Sequence, residues 1–277
     1  MDLSQIKLIV TDMDGTLLNS KSEVSAEFPE LLKKIHSRGI KFAVASGRQY
    51  FSLSKKLNEM KEELIFIAEN GAIVMEGEEQ KFIQPMNPKM AFQVINLVRE
   101  IGGKHLILCG KNSAYIEDTS PEFMKPFLQH YDKYEVVDDL TQVKDDVILK
   151  LTICDLSGAE ESTFPKVKKF KNELQVKLSG EIWIDFTHKD AHKGNALLEI
   201  QKMYGISAKE SMAFGDFLND LELFDHAKYS FAMANAHKEV KEKAAFLTES
   251  NDDLGVETVL KKLLEQQEIP EASRNNS

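Results

Sequence analysis

Ile6-Lys7-Leu8-Ile9-Val10-Thr11-Asp12-Met13-Asp14-Gly15-Thr16 is the stretch on which the reading of this chain turns. Ile6 to Val10 is a short apolar run with β-branched residues between polar flanks, the pattern of a buried parallel strand. Asp12 and Asp14 leave that strand directly, and Gly15-Thr16 completes the turn. In open α/β sheets ligands bind beyond the carboxyl ends of the strands, so both acids stand where a site belongs. Two carboxylates so spaced can face one ligand. One can attack phosphorus as a nucleophile while the other protonates the leaving oxygen. A carboxylate and a phosphate dianion repel each other strongly, so this chemistry needs a divalent cation at the same place. A solvated acidic turn, or the cap of a short helix, would account for the same residues with no chemistry. A calcium loop of the EF-hand type does not account for them. Placing Gly15 at its invariant glycine puts Val10 at the first ligand position and Lys21 at the bidentate glutamate position. Neither can coordinate calcium.

Outward from this stretch, strand and helix alternate. Glu27 to Arg38 carries Phe28, Leu31, Leu32 and Ile35 at helical spacing, with Gly39 as its C-cap. Ile40 to Ala45 is a second strand, Tyr50 to Met60 a second helix, and Leu64 to Ala68 a third strand. Doubly wound α/β folds have this rhythm. It breaks after Asn70-Gly71, where Ala72–Met75 and Lys81–Gln84 flank a hairpin loop at Glu76 to Glu79. A helix at Met90–Ile101, strands near Leu106 and Tyr115, and a short helix from Pro121 to Tyr131 follow. A long strand at Val147–Cys154, a helix over Ala159–Asn172, and strands around Val176 and Ile182 complete this part. The first pattern then returns: helix Lys193–Tyr204, strand Ser211–Phe214, a helix after Asn219, strand Tyr229–Met233 and a helix near His237. The expectation is a Rossmann-like, doubly wound, mainly parallel α/β core of residues 1–84 and 188–277, split by an α+β domain of residues 85–187. The polar stretch from Gln266 to Ser277 is expected to fray.

Three further segments belong to the same sheet. Ser46-Gly47-Arg48 ends the second strand, and its hydroxyl and free amides ahead of a helix suit a phosphate. Lys193 opens a helix, a position that by itself marks only a surface charge. Gly215-Asp216-Phe217-Leu218-Asn219-Asp220 ends another strand with oxygen ligands of the kind Mg²⁺ prefers. N-capping explains Asp216 or Asn219 singly, but not the cluster. His188 and His192 stand at a metal-ligand spacing but precede the helix, so a solvated loop is the better reading. Arg48 could reach a substrate or pair with an acid. Trp183, between Ile182 and Ile184, belongs with the core, and no GxxxxGK[ST] or GxGxxG motif is present.

A composition of 42% hydrophobic and 29% charged residues is that of an ordinary globular protein. A formal charge of -10 argues against nucleic-acid polymers and anionic membranes as partners. No apolar run approaches the ~20 residues of a membrane span, and the N-terminus lacks the regions of a signal peptide. Cys109 and Cys154 are isolated within apolar runs, as buried free thiols in a reducing compartment would be, so the cytoplasm is expected.

Taken in order, Asp-x-Asp, Ser, Lys and Asp-x-x-x-Asp resemble the haloacid dehalogenase (HAD) superfamily of phosphohydrolases. The likeness is closer to its Cof-type subfamily, class IIB with a C2B-type cap inserted between the Ser and Lys segments. Glu69-Asn70-Gly71-Ala72, Ala232-Met233-Ala234-Asn235-Ala236 and Asn251-Asp252-Asp253-Leu254-Gly255-Val256 extend the similarity. It covers roughly residues 4–84 and 188–265, and across the cap it is one of architecture. The resemblance implies that Asp12 is nucleophile and Mg²⁺ ligand, and that Asp14 is general acid/base and offers its backbone carbonyl to the metal. Ser46 and Lys193 would hold the phosphoryl group, with Asn219 and the Gly47 amide nearby. Asp216 would be the third protein ligand, and Asp220 would orient the site or touch a metal-bound water. An acid at position 14 fits phosphatases and mutases, whereas the family's ATPases carry Thr there. His192 departs from the usual N-cap, Ser or Asn. The expected protein is a Mg²⁺-dependent phosphatase of small metabolites such as sugar phosphates, phosphorylated cofactors or nucleotides, a monomer or weak homodimer. A phosphomutase using the same phosphoenzyme and a catalytically silent metabolite-binding protein are the alternatives.

Overall fold

The structure, a computed structural model, describes residues 1–268. Leu8–Asp12 (β1) is buried along its whole length. Lys41–Ala45 (β2) and Leu64–Ala68 (β3) follow it, then Ile73–Glu76 (β4) and Glu79–Ile83 (β5). His105–Gly110 (β6), Ala114–Ile116 (β7), Tyr134–Val136 (β8), Ile148–Cys154 (β9), Leu174–Leu178 (β10) and Trp183–His188 (β11) come next. Ser211–Gly215 (β12), Tyr229–Ala232 (β13) and Phe246–Leu247 (β14) are the last.

Among the described residues these strands make an eight-stranded sheet, β14-β13-β12-β1-β2-β3-β4-β5, and a six-stranded sheet, β10-β11-β9-β6-β7-β8. In the larger sheet β14 through β3 run parallel, and the β3–β4 and β4–β5 pairings are antiparallel. The chain leaves β1 toward β2 on one side and comes back into β12 on the other. The crevice of a doubly wound sheet opens at this kind of reversal, here beyond Asp12 and Gly215. In the smaller sheet only β7 and β8 are parallel. It lies wholly within the stretch between Ile83 and Lys193. Each sheet has its own apolar core: Ile9, Val10, Phe42, Phe66 and Phe214 are among the residues of one, and Val94, Leu151, Ile153, Ile184 and Phe186 are among those of another.

Several elements differ from the sequence reading. The helix from Tyr50 stops at Lys56, and Asn58–Glu63 tightens into a 3₁₀ helix. Leu53, Leu57 and Met60 are all buried, so the tightening keeps the apolar side on the core. The helix expected over Ala159–Asn172 is three short pieces, Ala159–Ser162, Phe164–Val167 and Lys168–Asn172. Pro165 has no N–H to continue a helical ladder. The helix from Pro121 ends at Phe127 and not at Tyr131. Hairpin strands β4 and β5 reach further into the loop than expected and leave a turn at Gly77-Glu78. Gly255–Glu268 is a helix with no counterpart in the sequence reading; Val256, Val259, Leu260 and Leu263 bury its inner face. It carries Gln266 with it, whose side chain accepts a hydrogen bond from the Leu3 amide at 2.8 Å. The first residues of the expected frayed tail are therefore helical, and 269–277 lie outside the described residues.

Candidate active site

β1 ends in Asp12, which is paired across the sheet with Ala45, the last residue of β2 before Ser46. β12 ends in Gly215 beside the other edge of β1, and Asp216 follows it. Asp12, Ser46 and Asp216 are thereby delivered to one crevice, although 204 positions separate the first and last of them (216 minus 12).

Lys193 joins them from the N-terminus of the Lys193–Tyr204 helix. Its ammonium, fully buried, bonds Asp12 Oδ1 and lies 2.7 Å from Asp220 Oδ1. Burial alone would lower the Lys193 pKa, but the two carboxylates outweigh it and hold the group above its ordinary value. Asp12 shows the reverse balance. Burial drives it well above the usual carboxylate range, with Lys193 pulling the other way. Its second oxygen, Oδ2, is buried and has no hydrogen-bond donor among the described residues. Asp216 is pushed up to about 6 by burial and then by its neighbour Asp220.

One carboxylate oxygen from each of Asp12, Asp216 and Asp220 lies within 4.8 Å of the others. Three acids against one ammonium leave surplus negative charge at a buried point, and the donorless Asp12 Oδ2 lies within it. A hard divalent cation that prefers oxygen ligands fits this donor set. Asp220 has less to offer than its position suggests. Its Oδ1 is taken by Lys193, and its Oδ2 accepts from the Asp216 and Phe217 amides at 3.1 Å each.

Asp14 stands apart, its side chain 45% exposed, with Arg48 donating to both of its oxygens at 2.8 Å. Ser46 Oγ accepts from the Arg48 amide at 3.2 Å. Asn219 Nδ2 donates to Asn70 Oδ1 at 3.2 Å. Asp12, Asp14, Ser46, Gly47, Arg48, Asp216 and Asn219 all line one cavity of about 740 Å³. Lys193 and Asp220 are buried and not among its lining residues, with Lys193 bridging Asp12 and Asp220.

His192, an unusual cap by type, caps the Lys193 helix: its Nδ1 accepts from the Asn195 amide at 3.1 Å. Burial lowers its pKa, which favours the neutral ring that can accept.

Several residues that the sequence reading quoted within its motifs, without assigning them contacts, support the site. Thr16 Oγ1 donates to Asp216 Oδ1 at 3.0 Å, and Asn235 Nδ2 donates to the Gly15 carbonyl at 2.8 Å. Glu69 and Asn70 return their amides to the Arg48 and Ser46 carbonyls, each at 3.0 Å. Lys150, from β9, donates to the Gly47 carbonyl at 3.0 Å and lies 2.6 Å from Glu69 Oε2. Polar residues at alternate positions of β9 and β11 (Lys150, Thr152, Asp185, Thr187) were a visible signal of a second face with a purpose.

A doubly wound sheet with carboxylates, a buried lysine and a serine loop at its switch point marks a class of α/β enzyme that handles anionic phosphoryl groups. A family model described as haloacid dehalogenase-like hydrolase matches residues 9–260. The chain is 32% identical over 269 residues to 5-amino-6-(5-phospho-D-ribitylamino)uracil phosphatase YbjI of Escherichia coli, covering 95% of this chain and 97% of that protein. It is 30% identical to the Bacillus subtilis phosphatase YwtE, named for the same substrate, over 95% of this chain and 99% of the relative. The crystal structure of SMU.1108c from Streptococcus mutans superposes with a TM-score of 0.84 at 32% identity, covering 94% of this chain and 99% of that one. The chain belongs to the haloacid dehalogenase-like hydrolases. It is a phosphatase of that family. No helix among the described residues is long and apolar enough to cross a membrane.

Proposed function

We propose that this phosphatase is Mg²⁺-dependent, acts on phosphate monoesters of small metabolites, and works through an aspartyl phosphate on Asp12. In this reading residues 1–84 and 188–277 form the catalytic core, and residues 85–187 form a cap that sets substrate choice. The observation that carries it is the buried, donorless Oδ2 of Asp12, with its partner oxygen held by Lys193. A carboxylate so placed has one oxygen fixed and one free.

Asp12 attacks phosphorus, forming its own O–P bond as the ester O–P bond breaks, and Asp14 gives a proton to the leaving alcohol. Water then attacks the phosphoryl group, Asp14 takes a proton from it, and Asp12 is released with inorganic phosphate. Ser46, the Gly47 amide and Asn219 hold the phosphoryl oxygens. Lys193 keeps Asp12 oriented and offsets charge there. Arg48 is held by Asp14, and an incoming phosphate competes for it, which frees Asp14 to carry its proton. Asp12, Asp216 and the Asp14 carbonyl would hold Mg²⁺, with Asp220 orienting the group through its backbone bonds. When bound, the ion neutralises the charge between carboxylate and phosphate.

Uncatalysed phosphate monoesters are so inert that accelerations up to about 10²¹ are known, which accounts for nucleophile, metal and cations acting together. The test is phosphate release with Mg²⁺ across sugar phosphates, pyridoxal phosphate, flavin mononucleotide, nucleotides and 5-amino-6-(5-phospho-D-ribitylamino)uracil, the last because two relatives are named for it. No turnover of any ester would defeat the proposal; isomerised sugar phosphate without free phosphate would make the protein a mutase.

A further inference from the structure

β9 and β11 are antiparallel neighbours with Thr152 opposite Asp185. Leu151, Ile153, Ile184 and Phe186 send one face of this pair into the apolar core. The other face carries Lys150, Thr152, Asp185 and Thr187, which are only 3%, 2%, 7% and 4% exposed. A buried polar face is costly to keep unless its groups are matched by partners. Lys150, Thr152 and Asp185 line the same cavity as Asp12, from the opposite sheet.

The partners on this face do not balance. Lys150 is committed to Glu69 at 2.6 Å and to the Gly47 carbonyl at 3.0 Å, and it lies 3.9 Å from Asp185 Oδ2. Thr152 donates to Asp185 Oδ1 at 2.6 Å. Oδ2 receives no hydrogen bond among the described residues, so two buried carboxylates share one lysine. Trp183, expected in the core, is only half-buried and lines the cavity with His130, which it meets edge to face at 5.7 Å, giving an aromatic surface beside the acid.

We propose that Asp185 is a specificity-determining residue, selecting phosphate esters whose leaving group carries hydroxyl or N–H donors. The chemistry follows from the acceptor: an ionised carboxylate accepts hydrogen bonds and donates none. A donor-bearing leaving group completes the shell of Oδ2, and a purely apolar one leaves it buried and unsatisfied. The inference rests on the phosphatase reading above.

The test compares kcat/KM for ribitol 5-phosphate and pentyl phosphate, chains of equal length with and without donors, in wild type and in Asp185→Leu. A site built to hydrogen-bond a donor rejects the analogue lacking it by far more than a hydrophobic slot can, so wild type is expected to prefer ribitol 5-phosphate by ~100-fold or more. Asp185→Leu is expected to lower that ratio at least ~10-fold. The ratio is insensitive to partial unfolding, which lowers both rates together. A wild-type ratio near one, or a ratio unchanged by Asp185→Leu, overturns the inference and leaves phosphatase activity standing. A wild-type enzyme that releases phosphate from neither these two nor any other ester removes the phosphatase reading and the inference with it.

Discussion

Asp12 and Asp14 lie on one turn but in different surroundings: the first is sealed against Lys193, the second half-exposed in the grip of Arg48. Asp12→Asn keeps size and shape but loses the nucleophile, so phosphate release is expected to fall by roughly a thousandfold or more with an unchanged circular dichroism spectrum. Wild-type turnover in that variant would refute the covalent route. Gly15 adopts a positive φ of 82°, and a Cβ there would collide with the Asp216 carboxylate. Gly15→Ala should therefore displace Asp216 and weaken Mg²⁺ binding by ~10-fold, the scale of losses when groups supporting a metal ligand are disturbed. Calorimetric titration giving the wild-type affinity would show that Asp216 is not a ligand. The acids were legible because their types and spacing suit only a few chemistries. Thr16, Asn70 and Asn235 stood in quoted motifs, but their contacts were not legible, because a Thr or Asn acquires meaning only from the atom it touches.

At the scale of elements, strand ends and helix starts place the chemistry. Lys193 reaches Asp12 because its helix begins tightly against its surroundings: Gly71 packs so closely that a Cβ there would lie 2.5 Å from the His192 carbonyl. Beyond β9, a turn is tied by the buried Asp155, which bonds Lys104, Ser157 and Thr163 at 2.6–2.7 Å. Burial raises its pKa, but these donors prevail and hold it below the ordinary carboxylate value. A depressed carboxylate stabilises the fold fully above its unfolded pKa of about 3.9 and loses that contribution as pH falls through its folded value. Asp155→Asn should thus be less stable than wild type at pH 7, with the gap shrinking below about pH 4. Urea unfolding at both pH values measures it, and a gap that widens in acid would contradict the sign. Long periodic elements such as Phe28–Ser37 were readable from their apolar spacing. Tyr134–Val136 was not, since all three residues are exposed and no burial alternation marks the strand.

For the whole molecule, the cavity lies between two sheets, walled by the carboxyl edge of one and the polar face of the other. Removing Mg²⁺ with EDTA is expected to abolish turnover, and returning it to restore both activity and thermal stability. At a hundred times its dissociation constant a bound ion adds ~2.7 kcal/mol to stability. A melting temperature and activity indifferent to EDTA would exclude the acid cluster as a metal site. The parallel α/β core, the carboxylates at its strand ends and the family resemblance are legible in the residues alone, because burial periodicity and local ligand chemistry are encoded within short windows. It takes the folded chain to bring Lys193 onto Asp12 and Arg48 onto Asp14, and to make Lys150 and Asp185 the opposite wall. Those are contacts between residues 34 to 181 positions apart in the first two cases. No local pattern specifies them; they follow from which strands become neighbours.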